Sequence, residues 1–174
     1  MRRKRNILTF SLLGAAAFFY LMQVSFVSVF LAVGDNVPDL LLILTVFVSM
    51  RLGQIPGMLF GFTVGLWQDA MIDFYGLNAL CKTIAAFATY FFAADRVMLI
   101  EKYYFPIMIF FLSVIHAVFF YAIQSLDGVV DFWNLMFHYG LWNSLYSAVT
   151  AFVIYLSIPL RTLDYVRFNT IYDF

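Results

Sequence analysis

The side chains of this sequence that could take part in catalysis are few and lie far apart. His116 sits in a long apolar run, and its neighbours at helical spacing supply no carboxylate. An ionisable residue in such a run is a candidate for proton transfer or ligand binding; the alternative is a neutral, hydrogen-bonded histidine that packs in the core. His138 is the only other histidine. We therefore predict no enzymatic activity, no catalytic residue, no metal site and no cofactor.

A second group of polar residues follows the glycine-rich segment at 53–65. Asp69, Asp73, Asn78 and Lys82 lie close together in the sequence and form a candidate polar cluster. The first interpretation of Lys82 is an ion pair with Asp69 or Asp73 that ties two helices together. Snorkelling of Lys82 to the surface and a site for a ligand or ion are the alternatives.

The composition decides the environment of these residues. The 174-residue chain is 64% hydrophobic and 11% charged, with a mean hydropathy of +0.92, far from the soluble globular range. This composition predicts contact with a lipid bilayer. The basic and acidic residues are segregated along the chain rather than gathered on a patch, and we predict no binding of nucleic acid. Cys81 is the only cysteine and excludes an internal disulfide.

The apolar runs predict an all-α, polytopic integral membrane protein with a single domain, residues 1–174. An apolar helix of about 20 residues crosses a hydrocarbon core of roughly 30 Å. The aromatic segment 131–138 is interpreted as an interfacial approach to the last helix, which is expected to begin near Tyr139, with His138 as an anchor beside Trp133. The six predicted spans are 7–31, 38–51, 53–69, 78–94, 103–126 and 139–160.

Charge predicts the orientation of the spans. Nine of the ten Lys and Arg residues fall on the side of the N-terminus when six spans alternate. Six aspartates lie on the opposite side: Asp35, Asp39, Asp69, Asp73, Asp127 and Asp131. Because cytoplasmic loops carry the excess of Lys and Arg, both termini are expected to be cytoplasmic. The tail at 161–174 is interpreted as a membrane-surface anchor, with a contact to a cytoplasmic partner as the alternative.

Four glycines at a spacing of four begin the third predicted span: Gly53, Gly57, Gly61 and Gly65. Small residues at this spacing let helix backbones approach closely in lipid. Each step of four residues turns about 40° around the helix axis, so the strip winds by about 120°. One straight neighbour could not follow it, but a helix that crosses at a right-handed angle could follow part of it, and a second neighbour could take the rest. We expect the third helix to be the packed centre of its own bundle. The alternative is that part of the strip binds a helix of another protein.

The glycine-rich segment also carries a family resemblance. The pattern GxxxGFxxGLxxD comprises Gly57, Gly61, Phe62, Gly65, Leu66 and Asp69, and it is followed by Tyr75, Gly76, Leu77, Asn78, Ala79 and Leu80. Together with the length, the six-span layout, the basic N-terminus and Pro38-Asp39, this pattern resembles the rod shape-determining membrane protein MreD family. Lys82 is not part of the family pattern.

The resemblance implies a non-enzymatic scaffold in the bacterial inner membrane that supports cell elongation, peptidoglycan synthesis and cell shape. The implied partners are a single-span MreC-like protein, the RodA glycosyltransferase with its partner transpeptidase, and the actin-like MreB. The family is also thought to be similar in fold to the substrate-binding membrane subunits of vitamin transporters. The motif residues, including Phe62, Leu66 and Gly76, are expected to be packing or interface positions. A transporter subunit that binds a small molecule is the alternative function.

Overall fold

The computed structural model describes residues 14–27, 32, 36–72, 76–92, 101–128 and 130–157. These residues form an all-α structure, and no strand occurs among them. Three sequence predictions lie outside the described residues: the basic N-terminus, Asp73 as a member of the polar cluster, and the tail at 161–174.

The described residues form six helical segments, α1 to α6. α1 covers residues 14–22 and continues as a π-helical turn, Gln23–Val27. The next four are α2 (Leu40–Leu52), α3 (Gln54–Ile72), α4 (Leu77–Phe92) and α5 (Glu101–Gln124), which a 3-10 turn (Ser125–Asp127) follows. α6 comprises the α-helical turn Phe132–Leu135, the π-helical turn Met136–Gly140 and the α-helix Leu141–Ser157.

Helix length distinguishes α5 from the others. Among the described residues, Tyr103–Gln124 is the one helical segment that is long and apolar enough to cross a membrane by length and composition. α2 has 13 residues and a length of about 20 Å, which is less than a hydrocarbon core of roughly 30 Å. The helices lie in the regions of the predicted spans, and the six-span arrangement remains a prediction.

The last helical segment begins earlier than expected. It starts at Phe132, where Asp131 is the N-cap and accepts a hydrogen bond from the Asn134 N–H at 3.3 Å. The expected start near Tyr139 is therefore wrong, because a capped turn already precedes the aromatic residues. His138 is exposed, and its Nδ1 lies 3.1 Å from the Asn134 carbonyl oxygen one turn earlier.

α2 lies at the centre of the structure. Leu40, Ile43 and Val46 pack with residues of α5 and α6 in one apolar cluster. Leu41, Leu44 and Val48 pack with residues of α1 and α3 in another. A helix that is apolar all round is expected to be buried on all sides. α2 is therefore the element around which the other helices are arranged. The expectation that the glycine-bearing third helix is the packed centre is wrong, because Leu59 and Met71 of α3 are exposed.

The glycines of α3 mark its close contacts with two neighbouring helices. A Cβ atom at Gly57 would lie 2.4 Å from Ser49 Cβ of α2, and one at Gly65 would lie 2.4 Å from Ala79 Cα of α4. At Gly61, a Cβ atom would meet Thr45 Cγ2 of α2 at 2.8 Å and the Lys82 carbonyl oxygen of α4 at 3.0 Å. The strip therefore passes from one neighbour to the other as it winds around α3.

Four of the residues predicted at packing or interface positions do not take part in this packing. Gly53 and Gly76 lie in turns with φ of 98° and 87°, and a Cβ atom at either would meet nothing within 4 Å. Their predicted role in helix packing is wrong, since they supply a positive φ that favours glycine. Phe62 and Leu66 are exposed, so they do not pack inside this chain, and their role as interface positions stays a prediction.

We expect Gly65→Ala to lower the free energy of unfolding by about 1–3 kcal/mol, because the added methyl group would collide with the backbone of α4. This loss should occur although alanine is the better helix former. The measurement is unfolding of the purified protein in mild detergent by titration with a denaturing detergent.

Gly14→Ala in α1 is the matched control, because its Cβ atom would meet nothing within 4 Å. We expect this variant to be at least as stable as the wild type. Equal stability of Gly65→Ala and Gly14→Ala would contradict the close packing of α3 on α4.

Candidate functional site: a buried polar cluster and its cavity

A buried ion pair links α2 and α4. The Lys82 Nζ atom lies 2.6 Å from Oδ2 of Asp39 and donates a hydrogen bond to it. The Lys82 side chain is 0% exposed, whereas that of Asp39 is 19% exposed. Taking two charges out of water is costly, so breaking such a pair on one side leaves an uncompensated buried charge. The pair therefore fixes the start of α2 against α4.

The predicted ion pair between Lys82 and Asp69 is wrong. Asp69 Oδ1 accepts hydrogen bonds from the backbone N–H and the side-chain Nδ2 of Asn78, each at 2.9 Å. Its Oδ2 accepts one from the Ala79 N–H, also at 2.9 Å. The first N–H groups of α4 have no partner within their own helix, and a carboxylate there is also favoured by the helix dipole. Asp69 thus caps α4 from the end of α3.

Side chains from other helices satisfy the N-terminus of α2. The Val37 and Asp39 N–H groups donate to Asn143 Oδ1 and Ser147 Oγ of α6, each at 3.0 Å. The Leu40 N–H donates to Gln23 Oε1 at 3.1 Å, and Asp39 itself accepts from the Leu42 N–H at 2.9 Å. Because a buried N–H without a partner is costly, these bonds position α1, α2 and α6 relative to one another.

Gln23 and Ser147 belong to this arrangement but are not predicted from the sequence. Each is a polar residue within a mostly apolar segment, and that is the signal that could have found them. The signal does not name a partner, because the donors to Ser147 and Gln23 are the backbone N–H groups of Asp39 and Leu40, which are 108 and 17 residues away in the chain.

A cavity of about 170 Å³ lies beside the N-terminus of α2. Polar side chains of α3, α4, α5 and α6 line it, together with Asp39, the N-cap of α2, and Gln23 of the π-helical turn after α1. Its lining includes Gln23, Asp39, Gln68, His116, Tyr121 and Asn143. The structure thus brings Asp39, Asn78 and His116 to one cavity, while Lys82 and Asp69 lie behind its wall.

Two atoms of the lining residues have no hydrogen-bond partner. They are Oε1 of Gln68 and Nε2 of His116, and both are buried. The His116 ring stacks on Phe120, with ring centroids 5.9 Å apart. Buried polar atoms in native proteins nearly always have partners, so these two indicate a place where a further polar group binds. The prediction that His116 packs in the core accounts for the ring face that contacts Phe120, but it does not account for the buried Nε2 atom.

Metal binding receives no support from the described part of the chain. No group of three or more His, Cys, Asp or Glu residues there could hold a metal ion. Cys81 is buried.

Comparison with protein-family models, with curated proteins and with solved structures found no match. The family resemblance therefore rests on the sequence features given above.

Lys82→Met is expected to lower the free energy of unfolding by about 3–5 kcal/mol, because the Asp39 carboxylate would stay buried without its counter-charge. The measurement is again denaturation in mild detergent. The double variant Asp39→Asn with Lys82→Met should recover part of this loss, since an asparagine N-cap still accepts from the Leu42 N–H. A single variant as stable as the wild type would show that the ion pair does not stabilise the bundle.

Asp69→Asn tests the cap of α4. The substitution replaces one carboxylate oxygen by an amide group that cannot accept from an N–H, and we expect a loss of about 1–3 kcal/mol. Asp131→Asn is the matched control, because Asp131 is an exposed N-cap and asparagine caps about as well as aspartate. Equal effects of the two substitutions on unfolding would contradict the role assigned to Asp69.

Proposed function

We propose that the chain is a non-enzymatic scaffold of the bacterial cell-elongation complex, located as a six-span protein in the inner membrane with both termini cytoplasmic. In this proposal it binds an MreC-like single-span protein and supports peptidoglycan synthesis by RodA and its partner transpeptidase, alongside MreB. The observation that carries the proposal is an exposed apolar groove that includes Phe62 of the resembling motif.

The groove lies on the face of α3 and α4 away from α2. It has a volume of about 580 Å³ and is lined by Phe62, Gly76, Leu77, Leu80, Thr83 and Ile123. Phe62 and Leu80 are exposed large hydrophobic residues. A groove between three helices offers van der Waals contact on several sides, and such contact drives helix association in lipid.

The glycine strip supports this groove indirectly. Gly57, Gly61 and Gly65 are occupied by α2 and α4 of the same chain, so they are not available to a helix of a partner. Their close contacts instead hold α3 and α4 in one relative position. The groove between these helices is therefore a fixed surface, as a scaffold requires.

The alternative function, a vitamin-binding transporter subunit, is less well supported. Pockets that bury drug-sized ligands have volumes of roughly 300–1,000 Å³, whereas the internal polar cavity has about 170 Å³. A vitamin-sized molecule does not fit this cavity, so the scaffold is the function that we propose.

Leu80→Trp tests the proposal by filling the groove. We expect recovery of an MreC-like partner with the tagged chain to fall by about tenfold or more, equivalent to about 1.4 kcal/mol of binding free energy. The measurement is the ratio of partner to tagged chain after co-expression and purification in mild detergent.

Val149→Trp is the control, because Val149 is exposed on α6 and does not line the groove. It should leave recovery of the partner unchanged. Loss of the partner in both variants would indicate a general defect, and full recovery with Leu80→Trp would contradict the groove as the binding surface.

A further inference from the structure

The internal cavity has a chemistry that the scaffold role does not use. Its wall presents the Asp39 carboxylate, while the Lys82 ammonium group is fully buried behind that carboxylate and does not line the cavity. Asp39 uses one oxygen for the Leu42 N–H and the other for Lys82. A carboxylate offers about four acceptor positions, so two remain for a further donor.

The two unpartnered atoms also require a donor. Oε1 of Gln68 is an acceptor, and Nε2 of a neutral His116 accepts when the ring proton is on Nδ1. Gln68, His116 and Asp39 all line the same cavity. Its wall therefore offers acceptors from α3, from α5 and from the start of α2.

An anion does not fit this cavity. The N-terminus of a helix is an anion site when its N–H groups are free, but those at Val37, Asp39, Leu40 and Leu42 already donate to side chains. The buried carboxylate of Asp69 and the partly exposed carboxylate of Asp39 accompany the buried ammonium group of Lys82 among the described residues. The N-terminus of α4 offsets part of the negative charge of Asp69. The net charge that remains on these three groups is negative and favours a cation.

We infer that the cavity binds a small organic ammonium ion, whose N–H groups donate to Asp39, Gln68 and His116. An ammonium group has three donors, which matches the three acceptors of the wall. The volume of about 170 Å³ accommodates a small ammonium group but not a large substituent on it. A free primary amine and the headgroup of an aminolipid share this chemistry.

The test is binding of methylammonium to the purified full chain in phosphatidylcholine nanodiscs, measured by calorimetry. We expect saturable binding of methylammonium and none of acetate. Tetramethylammonium, which has the charge but no N–H donor, should bind at least about tenfold more weakly, since hydrogen bonds to charged groups contribute about 1.5–3 kcal/mol. Absence of saturable methylammonium binding, or equal binding of tetramethylammonium, would overturn the inference.

Two substitutions at one residue locate the site. Gln68→Leu should weaken methylammonium binding about tenfold or more, because it removes an acceptor. Gln68→Glu should strengthen binding, since it adds a carboxylate to the wall. His116→Phe keeps an aromatic ring beside Phe120 and should also weaken binding. Unchanged binding in all three variants would show that methylammonium binds elsewhere and would overturn the inference.

Thr63→Val is the matched control on α3. Thr63 is exposed, its hydroxyl donates to the Phe60 carbonyl oxygen of the same helix at 2.9 Å, and it does not line the cavity. This variant should bind methylammonium as the wild type does.

Nanodiscs that contain phosphatidylethanolamine distinguish the two sources of the ammonium group. If this lipid weakens methylammonium binding and stays with the protein in native mass spectrometry, the natural ligand is a lipid headgroup. If it has no effect, the natural ligand is a free amine. The experiment uses the chain without a partner, so its outcome is independent of the scaffold proposal.

Discussion

The structure depends on one constraint: the N-terminus of α2 lies inside the bundle and must have its N–H groups satisfied there. Backbone donors that are buried without a partner are costly. Side chains from two other segments accept these hydrogen bonds, Gln23 after α1 and Asn143 and Ser147 on α6, and Asp39 adds its own cap. The carboxylate that caps α2 is only 19% exposed and takes Lys82 as its counter-charge. Helix capping, charge pairing and the relative placement of α1, α2, α4 and α6 are thus parts of one arrangement.

Local patterns of the sequence predicted the helices and the shared glycine strip. The rotation of about 40° for each step of four residues excluded one straight neighbour along the whole strip, and Gly57, Gly61 and Gly65 contact two helices, α2 and α4. The early start of α6 was not anticipated, because the aromatic segment was interpreted as an interfacial approach. Gly53 was included in the strip on spacing alone, whereas its backbone conformation places it in a turn.

Long-range polar contacts could not be read from the sequence. Lys82 lies among apolar residues and needs a counter-charge, and the nearest carboxylates before it in the sequence are Asp69 and Asp73. Its partner Asp39 is 43 residues away, and Asp69 is engaged by the donors of α4 instead. Whether a carboxylate pairs with Lys82 or accepts from the N–H groups of a helix N-terminus depends on which of these donors lies beside it. Tertiary packing decides that placement. The same reason explains why Gln23, Ser147 and the cavity beside them were missed.

The motif in α3 combines two surfaces within one helix. Gly61 and Phe62 are consecutive, so their side-chain directions differ by about 100°; the same holds for Gly65 and Leu66. The glycines face α2 and α4, while Phe62 and Leu66 are exposed. Close packing on one side therefore fixes the direction of the apolar side chains on the other. A bundle held together by glycine contacts and a buried ion pair leaves such side chains available for a partner, and its polar cavity lies among the helices on the other side of α3.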